Sequence, residues 1–308
     1  PKKAHPHIWA GLTQEVVKRS TTEKTLLECT DLLLQLHEGN KKVHLSDKNN
    51  QRQQRRVQVP HRKNKTSFSM VLYIEEHKRI LGESIEEEIQ IWSSYLTLPM
   101  AKDYKRIGEG DTGLNTGGMG AISPVPFLTD DFREKIETQI VKPTIEGLKK
   151  DNLPYKGFVF IGLIKVGNEP KVIEYNVRMG DPETEVVIPR IKNDFLAILQ
   201  AVDEGRLDEI DLEIDPSVAA TVVAVSGGYP EAYEKEKRIT GLDEQKDKMI
   251  FHAGTKQEGD DIKTSGGRVL AVTSFGKDYQ EAVEASYKII SKINFERINY
   301  RKDIGFDL

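Results

Sequence analysis

This chain has almost no cysteine and no long apolar run. Its 308 residues contain a single cysteine, Cys29, so an internal disulfide is excluded and a reducing compartment is expected. No apolar run approaches the roughly 18 residues that a membrane-spanning helix needs. The net charge is −4, without the basic excess of a nucleic-acid-binding protein. These absences predict a cytoplasmic protein with neither a membrane nor a nucleic acid as its partner.

Glycine is scarce in the first part of the chain. Residues 1–92 hold three of the 24 glycines but six of the seven histidines. They carry 16 Lys and Arg against 12 Asp and Glu, whereas the other 216 residues carry 29 against 37. Two segments of different composition therefore meet near Trp92–Tyr95.

The apolar pattern of the first segment is weak. It predicts a helix over 13–38, a strand over 68–77 and a short helix over 83–92. Residues 40–68 are polar and basic with few residues to bury, so we expect disorder there.

The second segment has a regular pattern. Cap residues and apolar spacing predict helices over 129–150 and over 193–207, the latter capped by Asn193 or Asp194 and ended at Gly205. A buried strand over 156–167 forms a hairpin with 169–180. A second unit is expected from about residue 215, with strands within 219–230, 249–255 and 267–276 and a helix over 279–292.

Glycines are concentrated in "DYKRIGEGDTGLNTGGMGAISPVP", residues 103–126, at positions 108, 110, 113, 117, 118 and 120. Each glycine costs about 0.5–1 kcal/mol relative to alanine in regular structure, so the run is expected to be neither a helix nor a sheet interior. Its backbone N–H groups could cradle an anion. Its spacing fits neither the phosphate loop nor the dinucleotide fingerprint, and a long surface loop is the alternative.

A second candidate site lies in "VIEYNVRMGDPETE", residues 172–185. The strand period of two places Glu174, Asn176 and Arg178 on one face, and makes the opposite face a core face. That core face is formed by Ile173, Tyr175 and Val177. A carboxylate and an amide oxygen suit Mg²⁺, and the arginine suits a phosphate or carboxylate. The alternative is a solvated strand face with mixed charges.

These segments together resemble one family. "AKDYKRIGEGDTGLNTGGMGAISPVPF", "GFVFIGLIKV", "PKVIEYNVRMGDPETEVVIPRI", "VSGGYP" and "YRKDIGFDL" are similar, in this order, to phosphoribosylamine–glycine ligases of the ATP-grasp superfamily, over about 95–308. The resemblance implies an α+β fold. A partial ATP-grasp domain, an antiparallel sheet with flanking helices, is expected over 93–214, and a small β-rich α+β domain over 215–308.

The resemblance also implies a reaction in purine biosynthesis. ATP phosphorylates the carboxylate of glycine, and the amine of 5-phosphoribosylamine attacks the acyl phosphate to give glycinamide ribonucleotide, ADP and phosphate. It implies Glu174 and Asn176 as ligands of Mg²⁺ or Mn²⁺, with Arg178, Gly180 and Asp181 on phosphate and glycine, Arg178 and Asp181 being catalytic. The remaining substrate contacts would come from the glycine run: Lys105, Arg106, Asp111, Thr112, Asn115, Thr116, Gly117 and Gly118. A monomer is expected.

Residues 1–92 depart from the family. An intact member is longer, with an N-terminal α/β domain and a glycine-rich, lysine-bearing ATP segment, which three scattered glycines cannot form. A shifted reading frame and a divergent or fused front both explain this. The alternative function is thus an inactive fragment that keeps the metal and acceptor half. The basic stretch 52–65 is a charged tail or, as a further alternative, a binder of RNA or an anionic surface.

Overall fold

The computed structural model describes residues 65–81, 88–153 and 155–308. Several predicted features lie outside these residues. They are the helix expected over 13–38, the basic stretch 52–65 apart from its last residue, and most of the segment expected to be disordered. At 65–68 the expectation of disorder is wrong, because these residues begin a strand and the side chain of Phe68 is buried.

The described residues form thirteen strands and five α-helices. The strands are β1 Lys65–Leu81, β2 Glu88–Thr97, β3 Lys102–Asp103, β4 Arg106–Gly108, β5 Thr112–Asn115, β6 Gly120–Ser123, β7 Gly157–Val166, β8 Glu169–Asn176, β9 Val218–Val225, β10 Met249–His252, β11 Thr255–Glu258, β12 Asp261–Thr264 and β13 Arg268–Gly276. The helices are α1 Asp130–Ile136, α2 Lys142–Lys150, α3 Thr184–Val187, α4 Phe195–Glu204 and α5 Tyr279–Ile290. None of the described helices is long and apolar enough to cross a membrane.

Two antiparallel sheets organise these elements. The first has the order β2-β1-β7-β8, and the second has the order β10-β13-β9-β6-β3. The pairs β4–β5 and β11–β12 form separate hairpins. The second sheet therefore combines β3 and β6, which precede residue 215, with strands that follow it.

Each sheet buries apolar side chains against helices. Ile161 and Leu163 of β7 pack with Phe132 of α1 and Ile145 of α2. The opposite face of the first sheet, including Phe160, packs with α3. The second sheet packs against α5, and its central strand β9 is apolar along almost its whole length, as expected for a strand covered on both faces.

The helix predicted over 129–150 is present but interrupted. Thr129 caps α1 by accepting a hydrogen bond from the Phe132 N–H, and α2 follows after one wider π turn at Glu137–Val141. Pro143 explains the interruption, because its ring clashes with the carbonyl four residues earlier and it has no N–H to donate.

Two expectations about secondary structure are wrong. Residues 88–92, predicted as helix, belong to strand β2 and pair with β1, since the alternation in "EIQIWSSYLT" suits a strand. Strand β6, Gly120–Ser123, is buried between β9 and β3, although the glycine run was expected to avoid sheet interiors. Gly120 is required there, because a Cβ would lie 2.7 Å from the Thr221 carbonyl oxygen.

The expected core face of β8 is also wrong. Ile173, Tyr175 and Val177 are 55%, 50% and 60% exposed. The pairing of β8 with β7 shifts by one residue between Gly162 and Leu163, and β8 is the edge strand of the described sheet. Only the tip of this face meets the helix layer, where the Tyr175 hydroxyl lies 3.0 Å from Thr144 Oγ1.

Candidate functional site

A short loop at the centre of the glycine run, residues 116–118, is held by its first residue. The Thr116 N–H and hydroxyl both donate to the Lys105 carbonyl oxygen, at 2.7 and 2.8 Å. The same hydroxyl accepts from the Gly118 N–H at 2.9 Å. Thr116 therefore fixes the shape of this segment, which we call the glycine loop.

The glycine loop packs directly on the turn that follows β8, residues 180–183, which we call the carboxylate turn. Gly118 has a φ of 124°, a backbone conformation that favours glycine. A side chain on Gly118 would collide with the ring of Pro182. The structure thus brings together two segments that are more than 60 residues apart in the sequence.

Arg268, at the start of β13, joins the loop to the turn. Its guanidinium donates to the Gly117 carbonyl oxygen at 2.9 Å and to the Asp181 carboxylate at 2.7 Å. The Gly117 N–H in turn donates to the Tyr229 hydroxyl at 3.0 Å. No local pattern predicts this arginine as part of the site, because only the pairing of β13 with β9, and of β9 with β6, brings it to the loop.

Beneath this junction the buried carboxylates of Asp103 and Glu183 lie beside Lys105, whose side chain is 45% exposed, and we call these three residues the acid cluster. The Lys105 ammonium lies 2.5 Å from Asp103 Oδ2 and 3.9 Å from Glu183 Oε1. Burial, reinforced by the charge of Asp103, raises the pKa of Glu183 to about 7. Burial lowers the pKa of the Lys105 ammonium, whereas the negative charges of Asp103 and Glu183 raise it. The net effect is that the pKa of Lys105 is raised.

The predicted metal ligands lie at the end of β8, next to the carboxylate turn. Glu174 stands opposite Gly162 and Asn176 opposite Phe160. The Phe160 ring also touches the turn, since a Cβ on Gly180 would lie 2.8 Å from it. The Asn176 amide nitrogen is buried and makes no hydrogen bond among the described residues.

These two side chains fit a weakly held hard cation. No group of three or more His, Cys, Asp or Glu residues suited to a metal occurs in 65–81, 88–153 or 155–308. A cation at Glu174 and Asn176 would thus have one carboxylate and one amide oxygen, and would complete its shell with water and phosphate, as Mg²⁺ does. Arg178 follows them on the surface, where its guanidinium donates to the Met179 carbonyl oxygen.

The other predicted substrate contacts have different partners. The Arg106 guanidinium donates to the Gly113 carbonyl oxygen, and the Thr112 hydroxyl donates to that of Glu109. Asn115 is exposed opposite Arg106 in the β4–β5 hairpin. Asp111 accepts a hydrogen bond from Arg301 near the C-terminus. These four residues therefore contact the hairpin and the tail, and their substrate role stays a prediction.

Comparisons with known proteins give the same family for both parts of the chain. Residues 88–184 match the ATP-grasp (A) domain of phosphoribosylglycinamide synthetase, and residues 219–307 match its C domain. Together the two matches cover more than half of the chain.

Curated relatives are similar over the same region. The phosphoribosylamine–glycine ligase of Chlorobaculum tepidum is 44% identical over 215 residues, which are 69% of this chain and 51% of the relative. That of Caldanaerobacter subterraneus subsp. tengcongensis is 46% identical over 210 residues, 68% of this chain and 50% of the relative. The chain thus spans about half the length of the curated relatives it matches.

Solved structures agree on the fold. The phosphoribosylamine–glycine ligase of Thermotoga maritima superposes with a TM-score of 0.64 at 34% identity, covering 79% of this chain and 56% of that one. A biotin carboxylase domain of a thermophilic 2-oxoglutarate carboxylase, 14% identical with a TM-score of 0.50, covers 77% and 48% and shows the fold alone. The predicted α+β, ATP-grasp fold is confirmed, and the chain belongs to the phosphoribosylglycinamide synthetase family.

Proposed function

We propose that this protein ligates glycine to 5-phosphoribosylamine at the expense of ATP, giving glycinamide ribonucleotide, ADP and phosphate through a glycyl phosphate. The observation that carries the proposal is the junction of the glycine loop, the carboxylate turn and Arg268, next to the β8 carboxylate and amide. Relatives named phosphoribosylamine–glycine ligase support the same reaction. The reaction belongs to purine biosynthesis.

The side chains of the junction suit the activation of a carboxylate. This step brings the negative charges of a triphosphate and a carboxylate together, so cations must offset their repulsion. Glu174 and Asn176 would hold Mg²⁺ or Mn²⁺, which supplies positive charge at the phosphates when bound. Arg178 is exposed and carries a guanidinium that can bind the transferred phosphate or the glycine carboxylate in two-point fashion.

The glycine loop and the carboxylate turn would position the acceptor. Gly117 and Gly118 have no side chains, which lets the Arg268 guanidinium and the Pro182 ring pack against their backbone. Gly180 and Asp181 form the opposite wall, and Arg268 fixes the spacing between the two walls. Holding amine and acyl phosphate in one orientation is a large share of catalysis for such a reaction.

The test is ADP formation by the purified chain. It is incubated with ATP, glycine, 5-phosphoribosylamine made in the same tube, and MgCl₂ or MnCl₂. We expect ADP and glycinamide ribonucleotide, detected by mass spectrometry, and neither product when glycine, the amine or the metal is left out. No ADP above the controls would contradict the proposal and leave the alternative, a fragment that keeps the acceptor half without turnover. That fragment would still be stabilised thermally by glycinamide ribonucleotide.

The proposal also includes the oligomeric state, the cellular location and the domain division of the protein. We expect a monomer, as sedimentation would report, located in the cytoplasm, with a division between an ATP-grasp part ending at 214 and a C-terminal domain over 215–308. Retention of RNA on a filter, weakening with salt, would instead support the nucleic-acid alternative for the basic stretch 52–65.

A further inference from the structure

Tyr229 follows β9 and contacts the glycine loop from the C-terminal part of the chain. Its hydroxyl accepts a hydrogen bond from the Gly117 N–H at 3.0 Å. The Arg268 guanidinium donates to the carbonyl oxygen of the same glycine at 2.9 Å. Both polar backbone groups of Gly117 are therefore bound by side chains that lie 112 and 151 residues later in the sequence.

The neighbouring amides of the loop are bound within the glycine run itself. The Thr116 N–H donates to the Lys105 carbonyl oxygen, and the Met119 N–H donates to that of Tyr104, both at 2.7 Å. The Gly118 N–H donates to the Thr116 hydroxyl at 2.9 Å. With the amide of residue 117 also bound, no N–H between 116 and 119 is left for an anion. The loop would therefore act on a substrate through its shape.

The Tyr229 ring is fixed by the two turns that flank it. Its own N–H donates to the Ser226 carbonyl oxygen at 3.1 Å. The buried Ser226 bonds to the turn before β13, with its N–H on the Gly267 carbonyl oxygen at 2.7 Å and its hydroxyl on that of Gly266 at 2.9 Å. A Cβ on Gly267 would lie 2.2 Å from the Tyr229 ring, so the glycine leaves the space that the ring fills. Packing therefore presents the hydroxyl to the loop.

We propose that Tyr229 is a positioning residue of the acceptor site, which acts through the Gly117 peptide and so sets the affinity for 5-phosphoribosylamine. This inference rests on the proposed function, in which the loop serves the acceptor and the end of β8 serves metal and phosphate. Without the hydroxyl, the Gly117 N–H loses its partner, and the loop has its binding shape for a smaller fraction of the time. The affinity for the acceptor falls by that fraction, whereas the affinity for ATP does not.

The first test compares Tyr229→Phe with the matched variant Tyr233→Phe in the ligase assay. Phenylalanine at 229 keeps the ring over Gly267 and removes only the hydroxyl. The Tyr233 ring lies edge-on to that of Tyr229, 6.0 Å away, and its hydroxyl makes no hydrogen bond among the described residues.

Tyr229→Phe should raise the KM for 5-phosphoribosylamine about 3- to 10-fold, the range for losing one neutral hydrogen bond. The KM values for ATP and glycine, and kcat, should stay within about twofold. All four constants should stay within about twofold in Tyr233→Phe. A purely structural role predicts a different result, a lower melting temperature with an unchanged KM for the amine, and that result would contradict the proposal.

Hydrogen exchange tests the contact itself. The Gly117 N–H, followed by NMR, should exchange faster in Tyr229→Phe than in the native chain, and at the native rate in Tyr233→Phe. Unchanged protection of this amide in Tyr229→Phe would show that the hydroxyl does not hold the loop.

The outcomes separate the two proposals. If the native chain makes product and Tyr229→Phe keeps the native KM for the amine, the role of Tyr229 is wrong and the function stands. If a folded native chain makes no ADP, the proposed function fails. The role of Tyr229 is then measured by calorimetry with glycinamide ribonucleotide, whose Kd should rise about 3- to 10-fold in Tyr229→Phe. A native chain that does not bind this ribonucleotide either would refute both proposals.

Discussion

Individual residues at the junction are constrained in ways that substitutions can measure. Gly118 combines a positive φ with contact against Pro182, whereas Gly147 in α2 is a helical glycine with nothing within 4 Å of an added Cβ. The same change, glycine to alanine, should therefore have opposite effects at the two positions.

Gly118→Ala is expected to lower the free energy of unfolding by about 1–3 kcal/mol, because alanine is strained at this φ and its methyl group meets the proline ring. Gly147→Ala should raise it by about 0.5–1 kcal/mol, since alanine loses less conformational entropy in a helix. Urea unfolding followed by circular dichroism measures both. Equal effects would mean that Gly118 is not held as described.

Glu174 tests the proposed metal site at the same scale. It is exposed, so Glu174→Gln should leave the melting temperature nearly unchanged while abolishing the Mg²⁺- or Mn²⁺-dependent formation of ADP. Glu169→Gln, on the same strand but paired with Lys135, is the matched control and should remain active. If Glu174→Gln unfolds the chain instead, Glu174 has a structural role.

At the scale of elements, the C-terminal tail anchors the glycine run. The fully buried Arg301 donates to both carboxylate oxygens of Asp303 at 2.8 Å and to Asp111 at 2.6 Å. Asp303 in turn accepts from the Gly110 N–H at 2.6 Å. The tail thereby fixes the β4–β5 hairpin, from which the glycine loop follows.

Arg301→Met should destabilise the protein by roughly 3 kcal/mol, the lower end of the range for breaking a buried ion pair, because Asp111 is half exposed. The hairpin should become sensitive to limited proteolysis. Arg206→Met removes an arginine from an exposed pair with Glu204 and Glu209, and its urea midpoint should not move. An Arg301→Met chain as stable as the native one would show that the tail does not anchor the hairpin.

At the scale of the whole molecule, two buried carboxyls should set the dependence of stability on pH. Burial raises the pKa of Glu183 to about 7, and burial followed by the charge of Asp181 does the same for Glu185. The folded state then binds more protons than the unfolded state, whose glutamates titrate near 4.5, so the free energy of unfolding falls as pH rises from about 4.5 to 7.

Urea midpoints at pH 5, 6, 7 and 8 measure this slope. The double variant Glu183→Gln, Glu185→Gln should flatten it, because neither site can then take up a proton. Asp303 has a lowered pKa, and its stabilising effect is lost only as pH falls through values near and below 4, outside this window. An unchanged slope in the double variant would mean that neither carboxyl is protonated near neutral pH.

Local signals in the chain were enough to predict several elements and the family. Asp194, one of the two predicted caps, and the left-handed Gly205 bound α4, because a cap and a terminating glycine act within a few residues. The hairpin of β7 and β8 likewise follows from its apolar pattern and short turn. The order of long motifs identified the family, which both domain matches confirm.

The contacts that these motifs make depend on packing between distant segments. The alternation of residues predicted that Ile173, Tyr175 and Val177 form a core face. The register shift and the edge position of β8 leave these side chains exposed instead. Arg268 reached the glycine loop only through the pairing of strands far apart in the chain. The buried state of Glu183 has the same origin. It depends on packing between distant segments, and that packing has no local signal in the sequence.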